Sequence, residues 1–396
     1  MSTTSSEAVG CGWRRADGRV GIRNHIVVLS TVALTDRLAT LAGASVEGVL
    51  TIAPAFERGL RGRDAALQER VVNAIVRHPN TGAVLLLAHD PAAARGLETR
   101  FAEAATASGP ARALRTISLM EAGGYEAALE ASVEALETLR AATRAPAGDA
   151  LALADLSVAL ECGGSDATSS ACANPAIGRF VDRLVAAGGT AIVSETAEFI
   201  GAEAIVRERA SDAAVAERVL ACLGRVERLM GEDGENYRGV NPTAENIEAG
   251  LTTLVEKSMG AICKIGSSSI AGCLDYAEAP AVPGLHFMDT PFFSPVSLTG
   301  MMAAGCQLTL FGMGVFNPSG NPLTPTVKVC GNPQTLAAWG SEIDVDVSGV
   351  IDGGLSPGGA GEAVAEAVRA VVSGELTRAE RRGEGQVIVP RSVPAL

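Results

Sequence analysis

Aromatic side chains make up only 4% of the 396 residues. A core without them must be packed from Ala, Val, Leu and Ile, with the 45 glycines placing tight turns and close backbone approaches. Positive charge is scarce as well: the formal net charge is −13, and no run of Lys or Arg forms a stripe for phosphate backbones. That balance excludes nucleic acid as an expected partner. No apolar stretch approaches the roughly 20 residues that span a bilayer, so no membrane association is expected. The opening MSTTSSEAVG has no basic segment followed by an apolar one, which points to the cytoplasm.

Several chemistries are missing at the level of motifs. There is no G-x-x-x-x-G-K-[ST], no G-x-G-x-x-G opening a helix after a strand, no H-E-x-x-H and no G-x-S-x-G. With only four histidines a multi-histidine zinc site is excluded, so oxygen ligands, with at most one thiolate, would carry any metal. The eight cysteines contain no C-x-x-C pair and are expected to be reduced, most of them buried as small hydrophobes.

What is present is a rhythm of short apolar, β-branched runs: HIVVLS from 25, GVLTIA from 48, GAVLLLA from 82, LSVALE from 156, TAIVSE from 190, LHFMD from 285, LTLFG from 308, TVKVC from 326 and IDVDV from 343. Most have the composition of strands buried on both faces. Helical patterns lie between them, at 64–77, 125–144 and 214–230. Alternation of the two predicts an α/β fold: two domains, 12–145 and 151–396, each with a mostly parallel sheet covered by helices. The boundary falls in RAPAGDA, 144–150, and 231–250 is expected to be a long polar loop.

In open α/β sheets ligands bind beyond the carboxyl ends of the strands. LSVALE ends there in Cys162, Gly163, Gly164, Ser165 and Asp166. This is either a turn with a helix cap and a buried thiol or a cradle for a carboxylate. Glu195 ends the next apolar run, where a carboxylate serves as a general base or a metal ligand; Glu198 reads as a dipole partner in a helix's first turn. Arg19 and Arg23, with Asn24 beside them, suit carboxylate or sulfonate recognition or else a solvated turn. Asp289 and Thr290 close a further strand.

Eight stretches in fixed order carry a resemblance over nearly the whole chain: GWRRADGRVGIRN at 12–24, HPNTGAVLLL at 78–87, ECGGSDATSSACANPAIGRFVDRLVAAGGTAIVSETAEFIGAE at 161–203, GLTTLVEKSMGAICKIG at 250–266, LDYAEAP at 274–280, GLHFMDTP at 284–291, NPLTPTVKVCGNP at 321–333 and EIDVDVSG at 342–349. Together they resemble the altronate/galactarate dehydratase (UxaA) family, large-subunit type, and ATSS, EIDVDVSG and PAFERGLRGRD look most like its sulfolactate sulfo-lyase branch. The resemblance implies a lyase dependent on Fe(II) or Mn(II). It would eliminate water or sulfite from a small anionic 2-hydroxy acid to give a 2-keto acid. It also implies a separate small subunit of about a hundred residues, and the enzyme is expected to be a homo-oligomer.

On that resemblance Arg19, Arg23 and Asn24 hold the anionic end of the substrate together with Gly163, Gly164, Ser165, Asp166 and Thr290. Cys162 and Glu195 supply the base or, with Asp289, the metal ligands, and Lys257 and Lys264 act as acids or electrostatic partners. The chain departs from the family twice. Where its dehydratases carry His-Gly-Cys-Gly-Gln, this sequence reads IAPAFERG with Pro54 at the His position, and where they carry Gly-Cys-Glu it reads AHDPAAA. The alternative these losses leave is a noncatalytic member that binds an organic acid or supports an active subunit.

Overall fold

The computed structural model describes residues 8–106, 113–143, 146–231 and 240–392. The chain divides into two compact units, each described by itself. One is Cys11–Ala150 with the described residues from Gln386 onward; the other is Leu151–Gly385 with the described residues up to Gly10. Of the boundary expected at 144–150, residues 144 and 145 lie outside the described residues, as do 232–239 of the expected long loop.

Strands in chain order are β1 (Ala8–Arg14), β2 (Val20–Gly21), β3 (His25–Ser30), β4 (Val49–Ile52), β5 (Thr81–Ala88), β6 (Ala113–Ser118), β7 (Asp149–Ala152), β8 (Ser157–Gly163), β9 (Thr190–Val193), β10 (Ile270–Leu274), β11 (Gly284–Met288), β12 (Leu308–Met313), β13 (Thr326–Cys330) and β14 (Val345–Asp346). In the first unit a four-stranded parallel sheet runs β4-β3-β5-β6. Helices Asp36–Ser45 and Tyr125–Ala142 cover one face, closing a core of Val28, Leu38, Leu85, Leu87, Leu136 and Leu139. Gln386 onward belongs with this unit because Arg391 pairs with Glu57 and Ser392 bonds Asp64.

The second unit holds a seven-stranded parallel sheet, β10-β11-β9-β8-β12-β13-β14. After β8 the chain moves to one side of it through β9, and later returns to its other side at β12. The strand order therefore reverses at β8, and all seven carboxyl ends share one edge. That is where such sheets open a ligand crevice. Val158, Leu160, Ile192, Val193, Leu310 and Phe311 are fully shielded from solvent. Such shielding accounts for runs that are apolar on both faces rather than alternating.

Three expectations change here. IDVDV contributes only the two-residue β14; β6, ALRTIS, went unmarked because Arg115 and Thr116 interrupt its apolar run, and β10, IAGCL, because it is short with a central glycine. Residues 240–250 are not structureless: helix Ala244–Glu248 forms there, and the Asn246 side chain accepts from the Thr243 N–H at its start. Among the described residues no helix is long and apolar enough to cross a membrane.

The glycine pair after β8 is explained by packing. Gly164 has φ +62, and its carbonyl accepts from Gly314 and Val315 N–H, tying the loop after β8 to the loop after β12. A Cβ on Gly164 would stand 2.0 Å from the Val315 carbonyl oxygen, and one on Gly163 would meet Phe311 and Asn317 at 2.6 Å. Gly164→Ala is therefore expected to destabilise the chain by about 2 kcal/mol or more. Urea unfolding measures this, and a wild-type midpoint would show that the close approach is absent.

Candidate active site

The carboxyl ends of β8 and β9 deliver charge into the interior. Glu161 and Cys162 come from the last turns of β8; Glu195 follows β9, and Glu198 lies in the short turn Thr196–Phe199. Helix Leu254–Ala261 adds Lys257, and the turn Ile262–Ile265 after it adds Lys264. All six side chains are buried. Lys264 Nζ donates to Glu198 Oε2 at 2.6 Å, and Lys257 Nζ lies 3.6 Å from Glu198 Oε1. Lys257 also donates to Asn241 Oδ1 at 3.2 Å and sits 3.9 Å from the centre of the Phe292 ring. Glu161 Oε2 accepts from the hydroxyls of Ser194 and Ser297, at 2.6 and 2.8 Å.

Burial and mutual repulsion push these acids apart. Desolvation, then the charges of Glu161 and Glu198, hold the Glu195 carboxyl well above the ordinary carboxylate range. Burial raises Glu161 to about 7, against the hydrogen bond from Ser194 and the charge of Lys264. Glu198 goes the other way: burial raises it, but Lys264 and Lys257 outweigh that and leave it an ionised carboxylate. Burial also opposes the charge on Lys264, yet Glu198, Cys162 and Glu195 raise its pKa. Burial, then the nearby Glu198, keeps Cys162 a thiol; its sulfur contacts Ser165 Oγ at 3.4 Å and Asn174 Nδ2 at 3.5 Å. Titratable groups with pKa values driven apart in one place mark an acid–base centre. Glu161 Oε1 and Glu195 Oε2 are buried without a hydrogen-bond partner among the described residues, as is Asn174 Oδ1. Buried polar atoms are ordinarily paired, and the Glu195 carboxyl has one partner at hand, since it hydrogen-bonds Glu198 and favours the ionised form there.

Glu195 itself is strained. Its backbone is left-handed, φ 65 and ψ 73, a conformation costing about 1–3 kcal/mol in a residue with a side chain. Hydrogen bonds at about 1 kcal/mol each must hold it there. Glu195 N–H donates to Thr290 Oγ1 at 2.7 Å, Thr290 N–H to Thr196 Oγ1 at 3.1 Å, and Thr196 N–H to the Thr290 carbonyl at 3.3 Å. Thr196 Oγ1 in turn donates to Asp289 Oδ1 at 2.8 Å. Thr290, expected to touch substrate, thus fixes Glu195.

The loop after β8 borders an open cleft of about 730 Å³ whose lining includes Asp166, Glu248, Phe316, Asn332 and Trp339. Asp166 accepts from Thr168 Oγ1, Ser169 N–H and Asn332 Nδ2, and the Ser165 carbonyl accepts from Asn246 Nδ2. These bonds brace the loop against the segment after β13 and against helix Ala244–Glu248. Arg19, Arg23 and Asn24 belong to the other unit. There Arg19 pairs with Asp17 and donates to the Arg77 carbonyl; Arg23 is buried and donates to the Ile22 carbonyl. Asn24 bridges Arg15 and the Thr143 carbonyl.

The donor set suits a metal poorly. Among the described residues no group of three or more His, Cys, Asp or Glu side chains is arranged to hold an ion. Both oxygens of Asp289 lie 2.6 Å from Arg225 Nη2, and the charge of Glu198 is already matched by lysines.

Two family patterns match the chain: "D-galactarate/Altronate dehydratase, C-terminal" over residues 153–394, and "D-galactarate dehydratase/Altronate hydrolase, second domain" over 12–144. The chain belongs to the D-galactarate/altronate dehydratase family. Its relatives include (2R)-sulfolactate sulfo-lyase subunit beta of Chromohalobacter salexigens, 32% identical over 96% of this chain and 96% of that protein. Altronate dehydratase of Escherichia coli is 31% identical over 87% of this chain and 70% of that enzyme; its Bacillus subtilis counterpart is 30% identical over 84% and 67%. The chain is accordingly an enzyme of this family, a lyase.

In this family member the sequence pointed to Cys162, Glu195, Lys257 and Lys264 and missed Glu161, Ser194 and Ser297. A glutamate inside the apolar run LSVALE was the available signal, since a fully buried carboxylate needs partners. Glu198 is not a dipole partner at a helix start: it is the buried counter-ion of two lysines.

Glu161 sets a direction for stability against pH. An unfolded glutamate ionises near 4.5, while the folded one retains its proton to about 7. Between those values the unfolded state binds fewer protons, so stability falls as pH rises. Glu161→Gln is expected to flatten that decline in urea unfolding between pH 4.5 and 7; an unchanged slope would show that Glu161 ionises normally.

Proposed function

We propose that the chain catalyses β-elimination of water or sulfite from a small anionic 2-hydroxy acid, giving a 2-keto acid. The observation that carries this reading is the protonated Glu195 beside the ionised Glu198 and the near-neutral Glu161, in one buried cluster with two ammonium groups. The reaction needs a base for the C2 proton, an acid for an oxygen leaving from C3, and positive charge for the enediolate between them. Glu161, with Oε1 unpartnered and a pKa near operating pH, takes the C2 proton. Glu195 gives its proton to a departing hydroxide, which leaves as water; sulfite departs without needing it.

Lys257 and Lys264 hold the developing charge in a site sealed from solvent, where electrostatic attraction is strongest. The enol then tautomerises: the proton held by Glu161 passes to C3, and the enol O–H proton returns to Glu195 in dehydration or is taken by the departing sulfite, which leaves as hydrogensulfite. Both carboxyls are reset and the atoms balance. These steps use the chain's own groups. The name of the Chromohalobacter relative, a beta subunit, supports a separate small subunit for this chain too, working with it in the cytoplasm.

The test incubates the chain, with its co-purified partner, with (2R)-sulfolactate, altronate and galactarate while following 2-keto acid and sulfite. With altronate or galactarate, where hydroxide must be protonated as it leaves, Glu195→Gln is expected to lower turnover at least about a hundredfold with the unfolding midpoint kept. Wild-type turnover in that variant would remove Glu195 from the reaction, and a substrate-induced melting shift without product would mark a binding protein.

A further inference from the structure

The mechanism leaves one contact unused. Asp289 stands at the end of β11, where the sequence suggests a ligand, but its carboxylate is held by Arg225 from helix Ala213–Gly231, and that helix packs against the turn Thr196–Phe199. Asp289 is mostly buried while Arg225 is half exposed. An ion pair with one partner in solvent adds little to stability. Its consequence lies in what the carboxylate does next: the oxygen gripped by Arg225 also accepts from Thr196 Oγ1, and Thr196 and Thr290 together fix the Glu195 backbone.

We infer that Arg225, acting through Asp289, is a positioning residue that locks Glu195 in its left-handed conformation and so aims its carboxyl. This rests on the reading of Glu195 as the proton-transferring group. The guanidinium does two things at once. It orients the Asp289 carboxylate toward Thr196, and it neutralises a fourth acid close to a cluster that already holds three glutamates. Without it, the Thr196–Thr290 pair loses its outer anchor. Glu195 then relaxes toward ordinary extended backbone, which swings the side chain away from Glu198. Arg225 touches no reacting atom; it acts through Asp289 and the Thr196–Thr290 pair.

The experiment compares Arg225→Gln, Arg225→Lys, Asp289→Asn and, as a control on the same exposed helix surface, Arg228→Gln. Hydrogen–deuterium exchange of the peptide containing Glu195 is read first. Arg225→Gln and Asp289→Asn are expected to accelerate exchange at the Glu195 amide about tenfold. Arg225→Lys should fall between them and wild type, and Arg228→Gln should match wild type. With altronate, whose leaving hydroxide needs the Glu195 proton, kcat should drop about tenfold in Arg225→Gln with KM nearly constant, and the limb of the pH–rate profile belonging to Glu195 should move. Unchanged exchange at Glu195 in both Arg225→Gln and Asp289→Asn overturns the inference, whatever the turnover. If the wild type turns over no probe, the proposed reaction fails while the exchange data still decide the clamp.

Discussion

A salt bridge with no solvent around it governs the second unit: Lys264 Nζ against Glu198 Oε2 at 2.6 Å, both side chains at 0% exposure. Removing one partner of such a pair costs about 3–5 kcal/mol, because the other charge is left buried alone. A well-packed apolar pair would fold as well or better, so stability does not explain its presence. What it provides is a fixed field. Glu198 stays ionised because Lys264 and Lys257 face it, and Glu195 stays protonated because Glu161 and Glu198 do. One bond thereby sets which acid carries a proton and which does not.

The surrounding fold exists to hold these charges at the rim of a parallel sheet. β8 and β9 are adjacent and in register from Ser157 against Thr190 to Leu160 against Val193, so the residues following each emerge side by side. Gly164 lets the loop after β12 press onto the loop after β8, and Thr196 with Thr290 joins the ends of β9 and β11. Each tie is a backbone or hydroxyl hydrogen bond, worth little alone. Their sum allows a left-handed glutamate and an unpartnered carboxyl oxygen to persist in the interior.

Much of this was legible in the sequence, for a definite reason. Strands buried on both faces are apolar at most positions, so HIVVLS and GAVLLLA announced themselves, and a polar residue at the end of such a run points to the ligand edge. That logic found Cys162 and Glu195. It failed where the deciding partner is distant in sequence. Glu198 looked like a helix-start carboxylate because nothing local reveals Lys264, 66 residues further on. Asp289 looked like a ligand because Arg225, 64 residues earlier, was invisible beside it. The glycine pair at 163 and 164 left a capped turn and an anion cradle both open, and the approach of the Val315 backbone to Gly164 could not be seen in it. Composition reports burial; it does not report who faces whom.

The account stands on the protonation of one carboxyl. Infrared difference spectroscopy at neutral pH, comparing wild type with Glu195→Gln, tests it most directly. A protonated carboxyl band present in the wild type and missing from the variant is the predicted result. A wild-type spectrum with no such band, every glutamate ionised, would contradict the assignment of an acid and its conjugate partner to this buried cluster.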